Sequence, residues 1–169
     1  KPEKVIKRGL DVHDLMEGTL CENEGGKFFF IERKYPLDRM HGGYCIGHLT
    51  KVDLADMGKL LMSRTESCSN VRISDMIFLD TETTGLSGGV GTVAFLIGIG
   101  FFENDCFVMR QYFMRDYDEE YAVLLELNRL LANYGILVTF NGKAFDWNLL
   151  SSRFAFNRIR VGMKKPFHL

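Results

Sequence analysis

The chain has 169 residues, 46% of them hydrophobic and 25% charged, a globular balance that excludes a disordered or fibrous chain. The formal net charge of -1 excludes a strongly basic surface of the kind that binds polyanions over its whole extent. The longest apolar run, "TVAFLIGIGFF", is too short and too rich in glycine to span a bilayer, so no membrane association is expected.

In chain order, the charged opening "KPEKVIKRGLDVHD" has no signal-peptide pattern. Cys21, Cys45, Cys68 and Cys106 form no CxxC pair and read as reduced thiols of a cytoplasmic protein. "TLCENEGGKFFFIERKYPL" predicts two strands around a Glu-Gly-Gly turn. "HGGYCIGH" reads as a glycine-rich loop. Its His41, Cys45 and His48 lack a fourth partner, which argues against zinc. "VDLADMGKLLMS" predicts a helix capped by Asp53, with Ala55, Leu60 and Leu61 on one side, and "SRTESCSN" a linker. Residues 1–70 are therefore expected to form a small β-rich appendage, and residues 71–169 the main domain.

The main domain opens on "DMIFLDT", apolar on both faces like a central strand. "GTVAFLIGIGFFE" and "CFVMRQYFM" predict a hairpin turning at Asn104 and Asp105. Asp116 or Asp118 caps a helix whose Leu124, Leu127 and Leu131 make one stripe, with Gly135 as its stop. "ILVTF" is a further strand, and "AFDWNLLSSRFAF" a helix with Trp147, Leu150 and Phe154 on one side. The order β-β-β-α-β-α predicts an α/β fold with a mixed sheet flanked by helices.

Strand geometry turns attention to "FLDTETTG", residues 78–85. Residues i and i+2 of a strand point the same way, so Asp80 and Glu82 share a face at the strand's C-terminal end. Sites of open α/β sheets form beyond such ends. Asp146, in the first turn of the last helix, follows a second apolar strand. If the two strands are neighbours, all three acids reach one end of the sheet. Clustered carboxylates repel and lose hydration, and a hard divalent cation offsets both costs. All-oxygen ligands select Mg²⁺ or Mn²⁺, and two such ions suit phosphoryl transfer.

"FLDTETTG" resembles the first motif of the DEDD (DnaQ-like) 3′–5′ exonucleases, which have a ribonuclease H-like fold, and "VTFNGKAFDWNLL" resembles their second. With "QYFMRDYDEEYAVL" and "YPLDRMHGG", the chain is similar to the YprB-type ribonuclease H-like proteins. The resemblance implies a nuclease that uses Asp80, Glu82 and Asp146 on two Mg²⁺ or Mn²⁺ ions to cut a single-stranded 3′ end of DNA or RNA. It implies that Thr83, Thr84 and Gly85 meet the terminal nucleotide and that Leu86 wedges against a base. It also implies a third motif, with a fourth acid and a water-activating His or Tyr. His168 does not match that motif, so the intact protein is expected to supply it downstream, and this stretch by itself to be inactive. The rival from another class is a binding module of the same fold that holds nucleic acid or protein without cleavage. Oligomeric state leaves no mark in the sequence.

Other residues are open to two readings. Asn141 is a turn residue or a ligand of phosphate or sugar. Lys143 is a phosphate contact or a solvated lysine. Arg153, Arg158, Arg160, Lys164 and Lys165 form a phosphate-facing stripe or a solvated helix face. "GGVGTV" lacks the lysine and helix of a phosphate loop.

Overall fold

The computed structural model describes residues 15–52, 72–85, 91–140, 145–163 and 167–168. Its strands are β1 (Thr19–Asn23), β2 (Gly26–Pro36), β3 (Met40–His41), β4 (Tyr44–Cys45), β5 (Met76–Thr83), β6 (Ala94–Glu103), β7 (Cys106–Phe113), β8 (Ile136–Thr139) and β9 (Phe167–His168). Its helices are α1 (Glu120–Leu131) and α2 (Asp146–Phe156). The main sheet runs β1-β2-β7-β6-β5-β8-β9. Pairing is antiparallel from β1 to β5, while β5–β8 and β8–β9 are parallel. This is the expected mixed sheet.

The hairpin joining β6 to β7 turns at Asn104 and Asp105, with φ of 46° and 60°. Two consecutive positive φ angles match the right-handed twist of the flanking strands, and Asn and Asp tolerate them better than most residues. On the inner face of the sheet Ile77, Leu79, Ile97, Ile99 and Phe101 pack with Leu124, Leu127 and Leu131 of α1 and Leu150 and Phe154 of α2. The outer face has a smaller cluster of Met76 and Ile136, joined by Phe78 and Val138.

Three expectations need correction. First, the β1–β2 part of the expected appendage does not stand apart from the main sheet. β2 pairs with β7 from Phe29↔Phe113 to Pro36↔Cys106 and so continues the main sheet. A bare β7 would present a row of unpaired backbone groups, and β2 is long enough to cover it. Second, "HGGYCIGH" is more than a loop. It holds the small β3–β4 hairpin and enters a 3-10 helix at Ile46–Lys51. Third, Gly135 does not stop α1. The helix ends at Leu131, where Asn133 Nδ2 donates to the carbonyls of Arg129 (3.1 Å) and Leu130 (3.3 Å). The N–H of Gly135 donates instead to Asp75 O, at 3.1 Å. The helix expected from Asp53 and the linker at 63–70 lie outside the described residues.

The β1–β2 turn is fastened to α1. Asn23 Nδ2 donates to Ala122 O at 2.9 Å, and Asn23 Oδ1 accepts from the N–H of Gly25 at 2.8 Å. A Cβ at Gly25 would stand 2.9 Å from Ala122 Cα, against backbone that cannot yield cheaply. Gly25→Ala is therefore expected to cost about 1–3 kcal/mol of stability, read from urea unfolding.

Tyr134 packs on Phe101 with ring centroids 5.7 Å apart. Burial, with a smaller contribution from nearby Glu103, pushes its phenol up to about 12. The unfolded phenol ionises near pH 10. The stability that neutral Tyr134 contributes is therefore complete below that pH and is lost as pH rises toward the folded value. Tyr134→Phe is expected to flatten the fall in melting temperature between about pH 10 and 12, and an unchanged slope would refute the assignment.

Candidate active site at one end of the sheet

Asp80 and Glu82 close the C-terminal end of β5, share its outer face and are exposed to solvent. Gly98 of β6 lies beside Asp80 in register and carries no side chain to crowd it. β8 runs parallel to β5, with Leu79 opposite Thr139, so both strands end at the same end of the sheet. The chain then leads from β8 to α2, whose first residue is Asp146.

The residue between the two acids links them to the third. Thr81 points to the inner face, opposite to Asp80 and Glu82. Its hydroxyl donates to Asp146 Oδ1 at 2.5 Å. Asp146 is only 6% exposed, more deeply placed than its neighbours Phe145 and Trp147 suggest. A carboxylate at such depth is costly without a donor, and Thr81 supplies one. At the end of β8, the hydroxyl of Thr139 is buried without a hydrogen-bond partner among the described residues.

Topology thus brings all three acids to one end of the sheet, but their side chains do not meet as one cluster. Among the described residues no three His, Cys, Asp or Glu side chains stand together as a metal site. Strand alternation is the physical reason, since Asp80 and Glu82 face outward while Asp146 is held on the Thr81 side. The donor chemistry, all carboxylate oxygen, still fits a hard cation.

Residues 77–168 match the RNase_H superfamily. The chain belongs to that superfamily. It is also 34% identical over 132 residues to the protein named "Uncharacterized protein YprB" of Bacillus subtilis (strain 168). That match covers 77% of this chain and 31% of the Bacillus protein. The superfamily has a nuclease-type fold, generally associated with nucleic-acid binding and divalent metals.

Within this RNase H-like sheet, the turn after the acids is held by its own side chains. Thr83 Oγ1 donates to Gly85 O at 3.0 Å. Thr84 Oγ1 accepts from the N–H of Val93 at 3.2 Å, while the N–H of Thr84 donates to Val93 O at 3.0 Å. A β-bulge falls between Glu82 and Thr83 and re-aims the chain as it leaves the acids. Leu86, Asn141, Lys143, Lys164 and Lys165 lie outside the described residues. Arg158 and Arg160 are exposed, as a phosphate-facing stripe requires. Arg153 departs from the stripe because its guanidinium is committed to Glu120, and that bond holds it above its ordinary value.

Sequence reading missed Thr81. The signal was available, because in Asp-Thr-Glu the middle residue of a strand must face the side from which α2 approaches. No helix among the described residues is long and apolar enough to cross a membrane.

Proposed function

We propose that this chain carries the carboxylate part of a metal-dependent nuclease site of the DEDD type, acting 3′–5′ on single-stranded ends of DNA or RNA. The observation that supports it most is the tether from Thr81 to Asp146. It holds the acid that begins α2 at the same strand end as Asp80 and Glu82. Asp80, Glu82 and Asp146 would hold Mg²⁺ or Mn²⁺. When bound, such ions stabilise the charge on both the attacking and leaving oxygens of a phosphodiester. Thr81 keeps the Asp146 carboxylate at the strand end. Thr83, Thr84 and Gly85 shape the rim that the terminal nucleotide meets. By the resemblance, a third motif would supply the fourth acid and the water-activating residue.

The test is digestion of end-labelled single-stranded DNA and RNA by a chain that includes this third motif, with Mn²⁺ and with EDTA. Expected are stepwise products shortened from the 3′ end, abolished by EDTA and by Asp80→Asn or Asp146→Asn. Metal-independent cleavage, or cleavage that survives both substitutions, would overturn the proposal. The binding-module rival predicts intact substrate under all conditions.

A further inference from the structure

The outer face carries a second feature, at the other end of the sheet from the acids. The β3–β4 hairpin and the 3-10 turn after it stand beside the end of β2 and the start of β7, and enclose a groove of about 790 Å³. Its lining includes Tyr35, Arg39, His41, Tyr44, His48 and Phe107. From Phe107 to Phe113, level with Glu82 through Leu96, the sheet measures about 20 Å at ~3.4 Å per residue. The groove is thus separate from the acids.

Three observations indicate its occupant. First, apolar side chains are exposed here in a group: Met40 at 60%, Tyr44 at 74%, Leu49 at 45% and Val52 at 49%. Second, the Tyr44 ring is open for stacking, whereas Phe107 packs on Phe78 and Phe102. The Arg39 guanidinium lies 4.5 Å over the Tyr35 ring, and Tyr44 meets the His48 edge at 6.1 Å. Third, no carboxylate lines the groove among the described residues. Arg39 lines the groove and Lys51 lies beside it at the end of the 3-10 turn, while Lys34 is taken up by Glu32 at 3.6 Å and Glu103 at 3.9 Å.

We propose that this groove binds unpaired bases of single-stranded nucleic acid, with Tyr44 as the stacking platform and Arg39 and Lys51 meeting the phosphates. Aromatic faces beside a basic track are the arrangement that holds single strands without regard to sequence. An apolar peptide would find the open Tyr44 ring equally suitable, but has no use for the Arg39 guanidinium in a lining that lacks carboxylates. The inference stands on the groove's own chemistry and holds whether or not the acids hydrolyse anything.

The test uses the chain in EDTA, so that nuclease chemistry plays no part. A fluorescein-labelled oligothymidylate of about 15 nucleotides and an abasic strand of equal length are titrated at low salt and followed by anisotropy. Expected is binding that favours the strand with bases and weakens about tenfold in Tyr44→Ala, with Tyr44→Phe restoring it. Tyr44 is exposed, so its removal should leave the thermal melt unchanged, which is checked in parallel. Absence of binding, equal affinity for the abasic strand, or indifference to Tyr44→Ala would each overturn the proposal. So would capture of an apolar peptide in place of the oligonucleotide. Solvent protection of Tyr44 before any ligand is added would show the groove filled by the chain itself, and would overturn it too. Digestion with Mn²⁺ tests the acids separately, so either reading can fail alone.

Discussion

Replacing Arg153 by alanine is expected to lower the stability of the fold by about 3–5 kcal/mol. Arg153 Nε donates to Glu120 Oε1 and Nη2 to Oε2, each at 2.6 Å. The side chains of the pair are 12% and 11% exposed. Asn157 Nδ2 adds a third bond to Glu120 Oε2, at 3.0 Å. The guanidinium also covers the Phe156 ring at 4.6 Å. This cluster joins the first turn of α1 to the last turns of α2, and removing Arg153 leaves the Glu120 carboxylate buried without its main partner. Domains of this kind are held by roughly 5–15 kcal/mol, so such a loss is a large share of the total. The size comes from the orphaned charge and not from the worth of the pair. Replacing both partners by apolar residues, as in Glu120→Leu with Arg153→Met, is therefore expected to cost much less than Arg153→Ala alone. Urea unfolding of the three variants checks this. A cost below about 1 kcal/mol for Arg153→Ala would mean that water reaches the pair and screens it.

That cluster also marks where sequence reading stops. The strands β5, β6, β7 and β8 and the helix α2 were legible because their apolar periods and turn residues are local signals. Asp80 and Glu82 were legible as a pair on one face for the same reason. The pairing of β8 with β5 stayed a condition in the sequence, because the helix α1 joins β8 to β7, two strands away from β5 in the sheet. What could not be read was partnership across the chain. Arg153 looked like one of a basic stripe because Glu120 lies thirty-three residues away, and nothing local marks that meeting. β2 looked like part of a separate appendage because its partner β7 lies far ahead in sequence, and long-range strand pairing leaves no periodic trace. Asp146 was expected among the other acids. The alternation that unites Asp80 with Glu82 also sends Thr81 to the opposite face, and Asp146 follows Thr81.

That last relation carries the other large effect, read from thermal melts in EDTA and in Mn²⁺. In EDTA, Thr81→Val strips the buried Asp146 carboxylate of its hydroxyl donor and is expected to cost about 1–3 kcal/mol. Asp146→Asn keeps an oxygen that can accept from Thr81 and removes a buried charge, so it should raise the EDTA melt. Asp80→Asn should move that melt little, because Asp80 and Glu82 are solvated and their repulsion is screened. With Mn²⁺ at a hundredfold excess over its dissociation constant, the native protein gains about 2.7 kcal/mol. At this chain size that corresponds to a rise of roughly 5–10 °C. Asp80→Asn and Asp146→Asn should abolish the rise. Thr81→Val touches no metal by this reading, yet groups that orient a ligand commonly set affinity by about 10–100-fold. It should therefore keep a reduced rise that recovers at higher Mn²⁺, a pattern that a merely structural hydroxyl would not produce. If Mn²⁺ leaves the native melt unchanged and Asp146→Asn lowers it in EDTA, the bond from Thr81 to Asp146 is only a tie between β5 and α2, and the acids hold no metal.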